Sequence, residues 1–306
     1  MKPQIIGPEA EARLDWIALT DAIAAGHALP RAEIADSFLY RRDDTLLTRS
    51  AWIDGLGLAV KPATIFAGNP GRGLPAINGA VNLFDDLTGQ LAAIVDFHLV
   101  TKWKTAGDSL LSARRLARKD ARRVLIVGAG KVAGSVIAAY RAMIPDAQVT
   151  VWNRSPGPAE ELALQFGTAV AEDLPDAVAA AEIIATTTMT REPLIRGQWL
   201  SPGTHLDLIG AYRPDMREVD DAALQRARLF VDSRKTTIGH IGEIQIPLDS
   251  GAITESHIIA DFYDLPTGRY ARTSDDEITI AKNGGGAHLD LMTARYILDA
   301  SQKAPA

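Results

Sequence analysis

The chain contains no cysteine, which excludes disulfides, thiolate metal ligands and cysteine nucleophiles and fits a reducing compartment. No apolar run is long enough to span a bilayer, and the N-terminus, MKPQIIGPEAEARLDW, lacks the apolar core of a secretory signal. A soluble, cytoplasmic protein is expected. Basic residues are not in excess: 32 Lys and Arg stand against 38 Asp and Glu, for a formal net charge of −6, so non-specific nucleic-acid binding is not expected. The 6 histidines show no H-x-x-x-H or H-E-x-x-H spacing, and no serine sits in a G-x-S-x-G elbow. Neither a metal centre nor a serine hydrolase is therefore indicated. Internal repeats and low-complexity tracts are also absent. What remains is a 306-residue chain of normal apolar content, 47%, long enough for two domains or one large one with a sizeable core.

The most informative segment is Val124 to Ala133, VLIVGAGKVA. A β-branched run feeds a G-x-G-x-x-A pattern, and a helical segment from Lys131 to about Met143 follows at once. This is the form of a dinucleotide-binding turn. Gly128 permits the tight turn, Gly130 lets a pyrophosphate approach the backbone, and Ala133 lets helix and strand pack closely. The helix N-terminus offers free N–H groups and a partial positive charge to the phosphates. A second strand, Gln148 to Trp152, completes a β-α-β unit and ends in Asn153-Arg154-Ser155. An Asp or Glu there would hold the ribose 2′-OH of NAD and repel a 2′-phosphate. Arg154 instead can pair with a phosphate and stack on adenine, while Asn153 and Ser155 donate hydrogen bonds without negative charge. The expected cofactor is NADP(H) in preference to NAD(H). Lys131 and Val132, which open the helix, and Thr187, at the end of a later strand, complete the cofactor set of this fold.

Periodicity gives an amphipathic helix over residues 8–26 and a second over about Arg31 to Phe38. Residues 45–100 carry strand-like runs split by Gly, Pro and Asn, with a hairpin turn at Asp85 to Gly89, and read as a mostly antiparallel β-region. Thr105 to Lys119 reads as a helix. Strands at 183–187, 205–209 and 228–232, separated by helical segments, extend the first β-α-β unit into a doubly wound parallel sheet. A further strand, Ile278 to Lys282, precedes Asn283-Gly284-Gly285-Gly286 and a last helix from about His288 to Ala300.

Five segments, in order, resemble the ornithine cyclodeaminase/mu-crystallin family: LAVKPATIFAGNPGRGLPAINGAVNLFDDLTGQLAAIVD, KWKTAGDSLLSARRLARKDARRVLIVGAGKVA, HLDLIGAYRPDMREVD, VDSRKTTIGHIGEI and ITIAKNGGGAHLDLMTAR. The resemblance covers most of the chain from residue 57 onward and implies fold and cofactor more firmly than reaction. It implies an α/β fold in two parts. A Rossmann-type doubly wound domain would span 113–282. A β-rich α+β domain for substrate binding and dimerisation would be formed by 1–112 with the C-terminal helix, 283–306, and the active site would lie in the cleft between the two. A homodimer is expected on the same grounds.

Candidate site residues follow from the residues and the resemblance together. Lys61 sits inside an apolar strand, where a lysine needs an anionic partner or a depressed pKa. It matches the family's substrate-binding lysine, and a substrate carboxylate is its natural partner. Lys104 stands where most family members carry a carboxylate-clamping arginine, and offers a point charge instead of a bidentate fork. That departure means no substrate is carried over from arginine-containing relatives. Arg41, Arg42 and Arg49 are candidates for the second carboxylate clamp that the resemblance implies; the local pattern does not single one out, and Arg49 is carried as the substrate-binding choice. Asp290 matches an aspartate at the start of the last helix and could orient Lys61 or the substrate nitrogen. Lys61 and Asp290 are the expected catalytic pair. Lys102 is expected to face solvent and His288 to be structural, while Glu243 matches a family position without an assigned role. Thr105, Ala106 and Ser109 lie near the cofactor in relatives.

Tyr212 falls where ornithine cyclodeaminases carry the catalytic Asp of a G-G-D segment. A phenol of reference pKa near 10 does not replace a carboxylate base near neutral pH. Deamination with internal hydride recycling is therefore disfavoured, and Tyr212 could either donate a hydrogen bond or pack on nicotinamide. The leading expectation is NADPH-dependent reduction of a cyclic imino acid, Δ1-pyrroline-2-carboxylate or Δ1-piperideine-2-carboxylate, to proline or pipecolate. The alternatives are an alanine or opine-type dehydrogenase, a cyclodeaminase, or a non-enzymatic NADPH-binding protein of the crystallin kind.

Overall fold

The computed structural model describes residues 2–303, and the chain divides into two compact units, 1–104 with 286–306 and 105–285. The first division falls inside a long helix and the second in the glycine run 284–286. None of the helices among the described residues is long and apolar enough to cross a membrane.

The first unit opens with strand β1 (Gln4–Ile6), a 3-10 turn at Pro8–Arg13 and helix α1 (Trp16–His27). The single helix expected over 8–26 is thus broken at Leu14-Asp15, where the Asp15 side chain accepts from Ala18 N (2.8 Å) and caps α1. Strands β2 (Glu33–Arg41), β3 (Asp44–Ile53), β4 (Gly57–Ile65), β5 (Ile77–Phe84) and β6 (Leu91–Asp96) follow, and the sheet order is β1-β6-β5-β4-β3-β2. The helix expected from Arg31 to Phe38 is a strand: all of β2 pairs antiparallel with β3, from Glu33↔Trp52 to Arg41↔Asp44. Cross-strand pairing overrides the helix-forming Ala and Glu of that segment. Helix α2 (Phe97–Leu116) starts eight residues before the expected Thr105, capped by Asp96, which accepts from Leu99 N (2.7 Å).

The second unit holds β7 (Arg123–Val127), α3 (Lys131–Met143), β8 (Gln148–Trp152), α4 (Pro156–Phe166), β9 (Ala169–Val170), α5 (Leu174–Ala180) and β10 (Ile183–Thr186). It continues with β11 (His205–Leu208), α6 (Asp221–Arg226), β12 (Arg228–Val231), α7 (Arg234–Thr237), α8 (Gly242–Asp249), β13 (Ile258–Ala260) and β14 (Thr279–Lys282). All its strands are parallel, in the order β13-β12-β14-β11-β10-β7-β8-β9. The chain leaves β7 toward β8 on one side and returns to β10 on the other, which makes the carboxyl ends of β7 and β10 the topological switch point. The central strands are buried on both faces, as in a sheet covered by helices on both sides, and β11 carries the buried polar pair His205 and Asp207 on one of them.

The chain then returns to the first unit as α9 (Ala287–Gln302), which packs on α1 and across β2 to β6. Leu289, Leu291, Met292, Ile297 and Leu298 are all buried there, and each such side chain contributes roughly 1.5–3 kcal/mol by leaving water. A helix so enclosed can carry a charged group inward only if that group is paired.

Candidate active site

In the first unit β4 alternates inward and outward with period two, and Ala59, Lys61 and Ala63 share the buried face. The small neighbours leave room for the lysine stem. Pro62 offers no N–H, and the β4–β5 ladder lapses opposite Lys61-Pro62, between Val60↔Asn82 and Ala63↔Gly79. β4 nevertheless runs unbroken through Pro62, because its pairing with β3 continues from Thr45↔Ile65 to Ile53↔Gly57. Lys61 Nζ donates to Asp290 Oδ1 (2.8 Å) and to Thr101 Oγ1 (2.9 Å), and lies 4.7 Å from the centre of the Phe97 ring. An ammonium has three donors, so one is left over. Asp290 is also buried, and its Oδ2 has no hydrogen-bond partner. The pair is held together with one donor and one acceptor still open.

The surrounding charge is unbalanced. Burial pushes the Lys61 ammonium below its ordinary value, Asp290 works against this, and Lys104 and Arg49 add to the lowering. Burial alone would raise Asp290, but Lys61, Lys104 and Arg49 outweigh it and hold the carboxyl below the usual range. Three cations thus act on one buried carboxylate, a field that favours an incoming anion. His288 is buried beside them, with its ring 5.4 Å from His27 at an interplanar angle of 89°. Burial, then His27 and Lys104, keep its pKa well below 6.5, so the ring stays neutral, in keeping with a structural role.

Of the three candidate arginines, Arg49 is the cross-strand partner of Lys61 in the β3–β4 ladder. It is also engaged by Asp36 (3.0 Å). Arg41 pairs with Asp44 at the end of the β2–β3 hairpin, and Arg42 occupies its turn with φ 56°. The structure therefore brings together Lys61, Asp290, Lys104 and Arg49, and leaves Arg41 and Arg42 apart. Lys102 is half exposed and pairs with Glu11 (2.5 Å).

In the second unit Gly128 ends β7 with φ 109°, and a Cβ there would meet Thr187 Oγ1 at 2.6 Å. Thr187 N in turn donates to Val127 O (2.8 Å), so Gly128 and Thr187 are neighbours at the switch point. Gly128 N donates to Trp152 O (2.8 Å), which fixes the end of β8, and with it Asn153 to Ser155, beside the turn. A Cβ on Gly130 would meet nothing within 4 Å, and no side chain caps α3. Open space and uncapped N–H groups are what a pyrophosphate requires, while fully buried Ala133 gives the close strand–helix packing. Lys131 and Val132 are exposed at the first turn, and Arg154 is exposed beyond β8, without an ion pair among the described residues. Asn153 Nδ2 donates to Ser155 O (2.8 Å). These residues fit a dinucleotide.

Tyr212 is 58% exposed in the segment leaving β11. Thr105 is half-buried in α2, Ala106 is buried, and Ser109 is buried against Tyr140 OH (3.0 Å). The sequence reading missed Thr101 and Phe97, both in contact with Lys61 Nζ, because it began α2 at Thr105. The apolar Phe97, Leu99, Val100 and Trp103 just before that point were the available signal.

Residues 51–304 match the sequence model of the ornithine cyclodeaminase/mu-crystallin family. The chain belongs to that family. Among its relatives, the Δ1-pyrroline-2-carboxylate reductase of Paracoccus denitrificans (strain Pd 1222) is 52% identical over 296 residues, 94% of each chain. The solved structure of Thermococcus litoralis Δ1-pyrroline-2-carboxylate reductase in complex with NADH and L-proline has TM-score 0.86 at 25% identity and covers 97% of each chain. An archaeal alanine dehydrogenase dimer with bound NAD has TM-score 0.88 at 25% identity, covering 98% of this chain and 96% of that one. The family member described here is an NAD(P)H-dependent oxidoreductase, and the α/β class with a Rossmann-type parallel sheet stands as expected.

Proposed function

We propose that this enzyme reduces a cyclic imino acid, Δ1-pyrroline-2-carboxylate or Δ1-piperideine-2-carboxylate, to proline or pipecolate, with NADPH preferred to NADH. The observation that carries this reading is the buried Lys61–Asp290 pair with one open donor and one open acceptor. The spare Nζ–H of Lys61, with Lys104 and Arg49, takes the substrate carboxylate. Asp290 Oδ2 accepts the N–H of the protonated imine. An ionised Asp290 favours the iminium over the neutral imine and so keeps the C=N carbon electrophilic. A dinucleotide held at the glycine turn would supply a hydride to that carbon, with the electron pair of the C=N bond becoming the amine lone pair. No base is needed to activate water or ammonia, in keeping with Tyr212 where a carboxylate stands in cyclodeaminases.

Gly128, Gly130, Lys131, Val132 and Thr187 would hold the pyrophosphate and the turn around it. Asn153, Arg154 and Ser155 would hold the adenosine ribose. The exposed Arg154, with no acidic residue beside it in Asn153-Arg154-Ser155, supports the preference for a 2′-phosphate. A homodimer is part of the proposal: Phe38 and Tyr40, stacked on one face of β2 with ring centroids 6.0 Å apart, are 49% and 74% exposed, an apolar surface a second copy would cover.

The test is oxidation of NADPH and NADH with each imine and no added ammonium. Turnover with both imines absent and pyruvate plus ammonium active would replace this reading with an alanine dehydrogenase. Faster turnover with NADH would overturn the cofactor preference alone.

A further inference from the structure

One buried carboxylate in the second unit has no part in the site above. Glu218, in the segment between β11 and α6, is fully buried and accepts from five donors: Thr186 Oγ1 (2.7 Å), Thr188 N (2.8 Å), Thr188 Oγ1 (2.7 Å), Gly210 N (2.8 Å) and Ala211 N (3.3 Å). These donors lie at the carboxyl end of β10 and in the segments that leave β10 and β11. Gly210 lets them approach: a Cβ there would meet Thr188 O at 1.9 Å and Glu218 Oε1 at 2.5 Å. Glu218 is itself held from below, since Glu243 accepts from Glu218 N (2.6 Å) and Val219 N (3.1 Å). Burial first, and then the Glu218 carboxylate, push Glu243 up to about 7, with Lys282 pulling it back.

The place of this clamp gives it a meaning. A doubly wound sheet binds a dinucleotide in two halves across the switch point. β7, α3 and β8 carry the half with the glycine turn and Arg154. The segments after β10 and β11 border the other half, where the nicotinamide goes. They bear Thr187, Thr188 and the exposed Met189 and Tyr212 (71% and 58%). Nothing else among the described residues ties Thr188 to Gly210 by so many bonds to one group.

We propose that Glu218 is a positioning residue for the nicotinamide: its acceptor-only carboxylate draws the β10 and β11 segments together and so sets the surface, including Tyr212, on which the nicotinamide rests. The proposal rests on the dinucleotide reading but on no particular substrate. Five donors converging on one group require an acceptor at both oxygens. An amide places an N–H against either Thr188 N or the Gly210 and Ala211 N–H groups.

Glu218→Gln is therefore the sharp variant, and binding is the readout. NADH and NADPH affinities, the emission of the bound nicotinamide, and the affinity for ADP-ribose, which lacks the nicotinamide, are measured on wild type and variant. The expected result is at least about a tenfold loss for NADH and NADPH alike, with altered nicotinamide emission and ADP-ribose affinity unchanged. Unchanged NADH and NADPH affinity and emission in a folded variant would overturn the proposal, as would an equal loss for ADP-ribose. If Glu218→Gln does not fold, Thr188→Val, which removes a single hydroxyl, decides: about a threefold loss confined to the dinucleotides supports the role, and no change refutes it. Because no imine enters the assay, failure here is separable from failure of the imine-reductase reading.

Discussion

Each unit of this protein buries a lysine, beside one carboxylate in the first unit and among four in the second, and the two sites are completed differently. In the second unit, Lys282 is fully buried, donates to Leu208 O (2.8 Å) and is influenced by Glu218, Glu243, Asp232 and Asp108. None of those four carboxylates has an oxygen without a partner, and most of their donors are backbone N–H groups. In the first unit, Lys61 and Asp290 face each other with a donor and an acceptor unused, under an excess of positive charge. Burying an ion costs several kcal/mol, offset only when its hydrogen bonds are complete. The saturated cluster is scaffolding for the backbone around it. The unsaturated pair keeps its remaining valence for a ligand that carries both an anion and an N–H.

The contrast can be broken at either lysine. Lys61→Met is expected to lower kcat/KM for the imine about a thousandfold, with NADPH affinity unchanged; a loss under about tenfold would remove Lys61 from the site. Its stability should suffer less than the second cluster does, since Lys104 and Arg49 still act on Asp290. Lys282→Met leaves four buried carboxylates with no cation, and thermal or urea unfolding should show a loss of about 3 kcal/mol or more. Equal destabilisation by the two substitutions would erase the distinction.

Titration sharpens it further. Burial pushes His27 down to about 4, and His288 also lies well below 6.5. The unfolded chain binds protons at these rings below 6.5 and the folded chain does not, so stability falls as pH drops from 6.5. Glu243 acts oppositely. Its folded carboxyl keeps a proton up to about 7 while the unfolded one releases it near 4.5, so this group costs stability as pH rises through that window. Two histidines outweigh one glutamate below 6.5, so the share of stability set by these three groups should rise up to about pH 6.5 and fall from there to about 7. A midpoint rising steadily to pH 8 would contradict the assignment of Glu243 (about 8 being well past its window). The smallest effect expected is at the surface: Arg154→Ala should weaken NADPH about tenfold and NADH hardly at all, and equal losses would undo the 2′-phosphate reading.

The parts legible in the sequence were those written in local pattern. Gly128, Gly130 and Ala133 follow a β-branched run at fixed spacing, and a lone lysine in an apolar strand flags Lys61. What was illegible depends on partners distant in sequence. β2 mixes helix formers (Glu33, Ala35, Leu39, Arg41) with strand formers (Ile34, Phe38, Tyr40), and pairing with β3 along its whole length decides for the strand. Arg49 stands out from Arg41 and Arg42 only by its register opposite Lys61. Glu218 reads as an ordinary acidic residue until the segments after β10 and β11 converge on it.

The central claim is that the Lys61–Asp290 pair waits for a carboxylate and an N–H on the same ring. The most direct measurement compares equilibrium binding of pyrrole-2-carboxylate and furan-2-carboxylate to the enzyme with oxidised cofactor present. The two differ in little but the ring N–H that Asp290 Oδ2 would accept. The account predicts tighter binding of pyrrole-2-carboxylate by about tenfold. Equal affinities, or binding of neither, would contradict it.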